Sequence, residues 1–312
     1  FLLIIISVQE KNKIIKFILP IFAISILFLF LVSLIGVEIK GSKRWIDLFF
    51  IPRFQPIELV KPLFILFVAK IIVLNDKMNI YSRYLFSFFV LSMIVVLLTN
   101  QPDLGQTLLL IASWITMVFV SGFNMIVLTI LALVVLSVFG LLIYFFPSKF
   151  GYVFFRIQTF FNPEVGDNFQ SQKALDAIKQ GGLTGQGMGE GVLKYKMPEA
   201  HTDYIIAVIA EEFGALFVLL IVILFLFIGY KVLNRVFLER DEFLKLSLIG
   251  LVSLLIIQTF IHIGVNARLL PTTGMTLPFL SYGGSSLIGN SIIAGIILKF
   301  TRNDSARHFE NE

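Results

Sequence analysis

Cysteine is absent from the 312 residues, which excludes a disulfide framework and a thiolate metal site. That fits exposure to an oxidising compartment. Charge is scarce as well: Asp, Glu, Lys and Arg together make up 14% of the chain, against roughly 25% in a typical soluble protein. Apolar residues take their place, at 57% of the chain with Phe alone occurring 34 times and a mean hydropathy of +0.92. A soluble domain of this length cannot hide that much apolar surface, so the expected solvent is a lipid bilayer. Net charge is +5. No basic stripe remains once the lysines divide between two membrane faces, which argues against a nucleic-acid partner. An initial Met is also missing. Phe1–Ser7 is an apolar stub, too short for a signal peptide's charged flank plus core. It is expected to be the end of a helix that begins before residue 1.

Eight apolar runs long enough to span follow the stub, at about 14–37, 57–75, 82–99, 104–122, 123–146, 203–230, 243–265 and 282–300. Backbone groups find no water partner in lipid, so each run must be helical. The expectation is an all-α polytopic membrane protein. Residues 1–302 form one helical domain and 303–312 a cytoplasmic tail.

Charge sets the orientation. One group of short flanks holds Lys11, Lys13, Lys16, Lys70, Lys77, Arg83, Lys231, Arg235, Arg240, Lys245, Lys299, Arg302 and Arg307. The opposite short loops hold Lys40, Lys43, Arg44, Arg53 and Arg268. The richer group belongs in the cytoplasm. Loops 38–56, 100–103, 147–202 and 266–281 are then extracytoplasmic.

The long loop contains Gly181, Gly182, Gly185, Gly187, Gly189 and Gly191. Such spacing suits either a flexible linker or a backbone that approaches a ligand closely. No βαβ context surrounds it, so a dinucleotide fingerprint is excluded.

Charged residues within spans carry more information, because each costs roughly 2.5–3.5 kcal/mol to insert. Glu58 and Lys61 share a helix face at i and i+3. They read either as an ion pair that holds the fold or as a cation offered to an anionic ligand. Asp103 precedes Leu104-Gly105-Gln106-Thr107, a capping position. Asp203 follows Thr202, which reads as an N-cap. Ala207, Ala210 and Gly214 lie near the Asp203 face, as a groove or as a helix-packing surface. Glu211 and Glu212 lie about 12 Å deeper at 1.5 Å per residue, and a proton path is one reading of them.

Four segments together resemble the FtsW/RodA (SEDS) family of cell-wall synthesis. The first is Gly41-Ser42-Lys43-Arg44-Trp45-Ile46 with Phe54-Gln55-Pro56-Ile57-Glu58-Leu59-Val60-Lys61. The second is Gln101-Pro102-Asp103-Leu104-Gly105. The third is Pro198-Glu199-Ala200-His201-Thr202-Asp203-Tyr204. The fourth runs from Leu269 through Pro271-Thr272-Thr273-Gly274-Met275-Thr276-Leu277-Pro278 to Ser281-Tyr282-Gly283-Gly284-Ser285-Ser286. The resemblance covers about residues 14–302. Within the family, Thr276 in the Pro-Thr-Thr-Gly-Met-Thr-Leu-Pro stretch leans towards the division branch rather than the elongation branch. Ile57 departs from the small polar residue usual after Gln-Pro.

The resemblance implies a SEDS-type bundle, of ten spans in the family and here eight complete spans plus a stub. It implies a peptidoglycan glycosyltransferase that polymerises lipid II, with the 4-hydroxyl of one GlcNAc attacking and undecaprenyl pyrophosphate leaving, with inversion. Asp203 matches the family's essential aspartate and is expected to be the base. Substrate-binding residues are expected at Arg44, Trp45, Gln55, Glu58, Lys61, Asp103, Lys194, Lys196, Glu199, His201, Thr202, Ser281, Tyr282, Gly283, Gly284, Ser285 and Ser286. Lys61, Arg44, Lys194 and Lys196 are the cations available to the pyrophosphate, with a divalent ion (Mg or Mn) as a possible aid. The implied partners are a class B penicillin-binding transpeptidase and other divisome proteins, at the septal inner membrane. A lipid II flippase, an elongation-type polymerase and a non-catalytic scaffold are the alternatives.

Overall fold

The structure is a computed structural model that describes residues 1–39, 42–48, 51–75, 77–145, 147–162 and 169–302. Lys40, Gly41 and the expected tail 303–312, with Arg307, lie outside the described residues. Eleven helices are described: α1 Leu2–Val8, α2 Lys11–Ile35, α3 Ile57–Leu74, α4 Ile80–Asn100, α5 Leu104–Val120, α6 Met125–Phe145, α7 Pro147–Phe161, α8 Phe169–Gly181, α9 Ile205–Leu238, α10 Glu242–Asn266 and α11 Gly284–Thr301. Each expected apolar run falls on one of them. Among the described residues, α2, α4, α9, α10 and α11 are long and apolar enough to cross a membrane. Helix α5 has 17 residues, and α3 carries Glu58, Lys61 and Lys70. The chain is a multi-pass membrane protein.

Burial separates the inner helices from the outer ones. The apolar window of α10 is 72% buried, against 22% in α9 and 28% in α2 and α4. Helices α3, α5 and α10 supply most of the shared core, including Val60, Phe64, Leu109, Met117, Leu248 and Leu254. The outward side chains of α2, α4 and α9 are large and apolar, such as Phe17, Phe89 and Leu224, as contact with acyl chains requires.

Two segments read as loops are built structure. Three strands pair as an antiparallel meander, β1 Val37–Ile39, β2 Ser42–Leu48 and β3 Ile51–Phe54, with Val37 opposite Trp45 and Ile46 opposite Phe54. The meander adds a small sheet to the expected helical bundle, within and beside the loop read at 38–56. Lys43-Arg44-Trp45-Ile46-Asp47 alternates in part between apolar and charged residues, which suits a strand with one covered face. The segment 147–202 contains α7, α8 and a 3₁₀ turn, Leu193–Lys196. Helix α8 packs Ala174 and Ala177 against Leu193, Tyr204 and Ala207. The small-residue face below Asp203 is therefore filled by α8 and is a packing surface, not a ligand groove.

The glycine-rich stretch is pinned to α9. Gln186 and Gly187 donate backbone hydrogen bonds to the Glu211 and Glu212 carbonyls, and Ala215 and Leu216 donate to Gly182 and Leu183. This exchange needs α9 to open, and it does so at Gly214 (φ 82, ψ 174). A Cβ there would stand 2.3 Å from the Leu183 carbonyl oxygen. The buried Glu211 carboxylate accepts from the amides of Val192 and Leu193 at 2.8 Å and of Lys194 at 3.3 Å. Glu212 pairs with Lys194. The two acids thus fasten a loop. Gly214→Ala is expected to cost about 1–3 kcal/mol, because that backbone region is essentially restricted to glycine. A lowered thermal midpoint in detergent would show it, and an unchanged midpoint would refute it.

Candidate active site around Asp203

The conformation of residue 203 comes from its neighbours. The Glu199 carbonyl accepts from the amides of Thr202, Asp203 and Tyr204, with Glu199 itself at φ 62. Helix α9 starts only at Ile205, and its N-cap residue is Tyr204, with no side-chain cap. Thr202 is therefore not the cap. Its hydroxyl donates to the Glu199 carboxylate at 2.7 Å. Two further clamps hold the turn. Asn266, at the end of α10, donates to the Asp203 carbonyl at 3.0 Å and accepts from the Ala207 amide at 3.3 Å. From the other side, the Ser281 hydroxyl donates to the Thr202 carbonyl at 2.7 Å, and the Tyr282 amide donates to the His201 carbonyl at 2.9 Å.

Asp203 lines a cavity of about 160 Å³, shared with Arg156 of α7, Gln170 of α8, Tyr204, His262 of α10 and the chain at 272–275. Gly274 takes φ +69, and a Cβ on it would lie 3.5 Å from the Asp203 carboxylate and 3.6 Å from the Arg44 guanidinium. The base candidate and Arg44 of β2 thus flank one small space, which a side chain at 274 would fill. Arg44 reaches there while donating to the carbonyls of Gln101 and Pro102. It stands 3.7 Å from Asp103. Asp103 is 1% exposed and caps α5 by accepting from the Gln106 amide. Burial pushes its carboxyl above the usual range, against the pull of Arg44. Burial, then the charge of Asp203, push the Tyr204 hydroxyl up to about 12. Burial, then the charge of Arg44, lower the pKa of Arg156. An anion entering this space would relieve the repulsion between the two guanidiniums.

The expected residues stand at different distances from this cavity. Asp203 lines the cavity, Arg44 approaches it at Gly274 with Asp103 buried behind Arg44, and Glu199, Thr202, His201 and Ser281 build its turn. Gln55, Ser285 and Ser286 brace the floor. The Gln55 amide donates to Ser285 at 3.0 Å, its side chain donates to Asp103, and Ser286 is 2.7 Å from the Thr276 hydroxyl. Gly283 and Gly284 start α11. The other residues stand apart from the cavity lining. Trp45 is half-buried on β2, while Tyr282 and Lys196 are exposed. Lys194 is paired with Glu212. Lys61, fully buried, binds Glu58 at 2.8 Å and Gln258 at 3.2 Å. It approaches the cavity through Gln258, which donates to the Thr276 carbonyl.

Among the described residues no three His, Asp or Glu side chains converge as metal ligands. Asp203 is the one carboxylate in the cavity lining, and the Arg156 guanidinium shares that lining, a donor set that does not suit a protein-held Mg or Mn ion, which is bound through several oxygen ligands. Sequence reasoning missed Arg156 because it lies in the long loop, outside the four recognisable segments and outside the short loops whose charges set the orientation. Its signal was an arginine on an aromatic, amphipathic stretch, Phe154-Phe155-Arg156-Ile157.

Residues 1–306 match the FtsW/RodA/SpoVE family, described as cell cycle proteins. The chain belongs to that family. It is 35% identical to the probable peptidoglycan glycosyltransferase FtsW of Caulobacter vibrioides, over 86% of this chain and 67% of that one. To the protein of the same description in Haemophilus ducreyi it is also 35% identical, over 91% and 72%. Among solved structures it is similar to a chain of a peptidoglycan synthase complex that coordinates polymerization and crosslinking. That match has TM-score 0.77 and 25% identity and covers 97% of this chain and 85% of that one. It is also similar to the rod shape determining protein RodA of Thermus thermophilus, with TM-score 0.69, 25% identity, and coverage of 97% and 84%. The SEDS-type bundle expected from the four segments is the fold observed.

Proposed function

We propose that this chain is a peptidoglycan glycosyltransferase of the FtsW type, polymerising lipid II into glycan strands, with Asp203 as its general base. The relatives described as FtsW glycosyltransferases support the reaction class. The observation that carries the assignment within this chain is the Asp203 carboxylate, held by a braced turn in a cavity walled by Arg156 and facing Arg44. In the proposed step the GlcNAc 4-hydroxyl gives its proton to Asp203 as its oxygen forms the bond to the donor's anomeric carbon. The bond from that carbon to the pyrophosphate oxygen breaks, and the electron pair leaves with undecaprenyl pyrophosphate. A positioned base contributes typically 10²–10⁴-fold. Fixed guanidiniums stabilise the charge that develops on the leaving group. Glycan strand formation from lipid II by the purified protein with its transpeptidase partner tests the reading, and a folded complex that makes no polymer would overturn it.

The partner of this reading is a class B penicillin-binding transpeptidase within the divisome. The solved neighbour that belongs to a synthase complex supports that choice. The reading places the cavity on the outer face of the inner membrane at the septum. The charge asymmetry of the short loops supports that orientation, and the same grouping recurs in contacts such as Lys11 with Asp241 at the opposite end. Cysteine placed at Ser42 or Gln186 is expected to react with an impermeant thiol reagent in intact spheroplasts. Cysteine at Asn75 or Asn234 is expected to stay unlabelled. The reverse pattern would put Asp203 in the wrong compartment. A flippase would need polar groups through the depth of the bundle, and Glu211 and Glu212, the residues that suggested it, serve the loop instead.

A further inference from the structure

A second cavity adjoins the one at Asp203. It encloses about 220 Å³ and shares Arg156 and Thr272 with the first. Arg268 enters it from the turn after α10, and the side chains of Tyr152, Thr159 and Ser171 complete its polar lining. Arg268 stands at φ 54, directly after the C-cap residue Ala267. Helices commonly place glycine at that left-handed position. A non-glycine residue there is unfavourable, and strain of this kind gathers where a side chain is needed.

Two guanidiniums therefore line one enclosure, and among the described residues neither forms an ion pair. Arg156 donates to the Thr272 carbonyl at 3.1 Å and lies over the Tyr152 ring. Arg268 donates to the Gln172 side-chain oxygen at 2.5 Å. Each guanidinium has five N–H donors, so both keep donors for a ligand. The buried Tyr152 hydroxyl likewise has no protein partner among the described residues. Paired guanidinium forks match the oxygens of a phosphate group.

We propose that Arg156 and Arg268 form an anion subsite that holds the pyrophosphate of a polyprenyl-linked saccharide next to Asp203. The proposal rests on the glycosyl-transfer reading and adds the place of the leaving group. Inversion brings the attacking hydroxyl and the leaving oxygen to opposite faces of the anomeric carbon. The base and the anion site must then be neighbours without coinciding. Two cavities with Arg156 and Thr272 as a common wall meet that condition. When the bond from the anomeric carbon to the pyrophosphate breaks, the negative charge gained by the leaving oxygen faces the two arginines.

The test measures binding to the full chain with its partner in lipid nanodiscs. The probes are undecaprenyl pyrophosphate, undecaprenol and inorganic pyrophosphate. Arg268→Gly and Arg156→Gln are each expected to weaken undecaprenyl pyrophosphate binding about tenfold or more, as for loss of a charge-assisted contact. Undecaprenol binding should stay unchanged. Arg268→Gly should keep or raise the thermal midpoint, since glycine suits the backbone there. Loss of inorganic pyrophosphate binding in the variants would show that the headgroup suffices; loss confined to the lipid form would show headgroup and tail acting together. Equal affinity for undecaprenyl pyrophosphate in wild type and both variants would overturn the subsite. A lowered midpoint with unchanged affinity would mark Arg268 as a tether of α10 to α8 and overturn it too. So would parallel losses for undecaprenol. Asp203→Asn keeps the two readings apart. It should bind undecaprenyl pyrophosphate like wild type, and full polymerisation by it would sink the base assignment without touching the subsite.

Discussion

Asp203→Asn is expected to yield a folded chain that forms glycan strands some 10²–10⁴-fold more slowly than wild type, the usual worth of a general base. The fold should survive because it does not use the carboxylate as a cap. Helix α9 begins at Ile205 without a side-chain cap. The turn is held by backbone and neighbour bonds: the Glu199 carbonyl below it, and the Asn266 and Ser281 side chains on its flanks. The amide is nearly isosteric, so the cavity keeps its shape and its two arginines. What disappears is an oxygen able to take a hydroxyl proton. Strand formation from lipid II by the purified complex, with thermal unfolding on the same samples, reads both halves of the expectation. A stable variant that polymerises at close to the normal rate would remove Asp203 as the base.

Much of this fold was readable because lipid allows few solutions. Eight apolar runs became eight helices, for backbone groups in hydrocarbon can pair only within a helix or a closed barrel. The errors lay where water returns as an alternative partner. The meander of β1, β2 and β3 and helices α7 and α8 carry short, mixed patterns that no span length constrains. Glycines 181–191 read as a linker because their spacing suggests freedom. The bonds from Gln186 and Gly187 to the opened turn of α9 are long-range and leave no local trace. The site was legible in part for the same reason. Asp203 and Arg44 stood out in recognisable segments. Their meeting across Gly274 depends on a loop that closes over both, and Arg156 and Arg268 enter from segments that the four motifs do not include.

The second large effect concerns stability. Lys61→Met is expected to lower unfolding stability by about 3–5 kcal/mol, the typical result of leaving one buried charge without its partner. Glu58 is 2% exposed and Lys61 is 0% exposed. Their contact at 2.8 Å lies within a set that also holds Gln106, which donates to Glu58 at 3.0 Å, and Gln258, which accepts from Lys61 at 3.2 Å. These residues join the N-terminal turns of α3 and α5 to the C-terminal half of α10. Glu58→Gln with Lys61→Met removes both charges, so the double variant should recover most of the loss. Apolar or neutral replacements of a buried pair are often tolerated once neither charge is stranded. A double-mutant cycle of unfolding midpoints in one detergent gives the coupling directly. Strand formation per folded molecule should recover with it, because Lys61 reaches the Asp203 cavity only at second hand, through Gln258 and the Thr276 carbonyl. The opposite pattern, with Lys61→Met folding like wild type and the double variant still inactive, would mean that the ammonium meets the substrate. The buried pair would then have to open during turnover, and the pyrophosphate would lie on the α3 side of the cavity rather than beside α7.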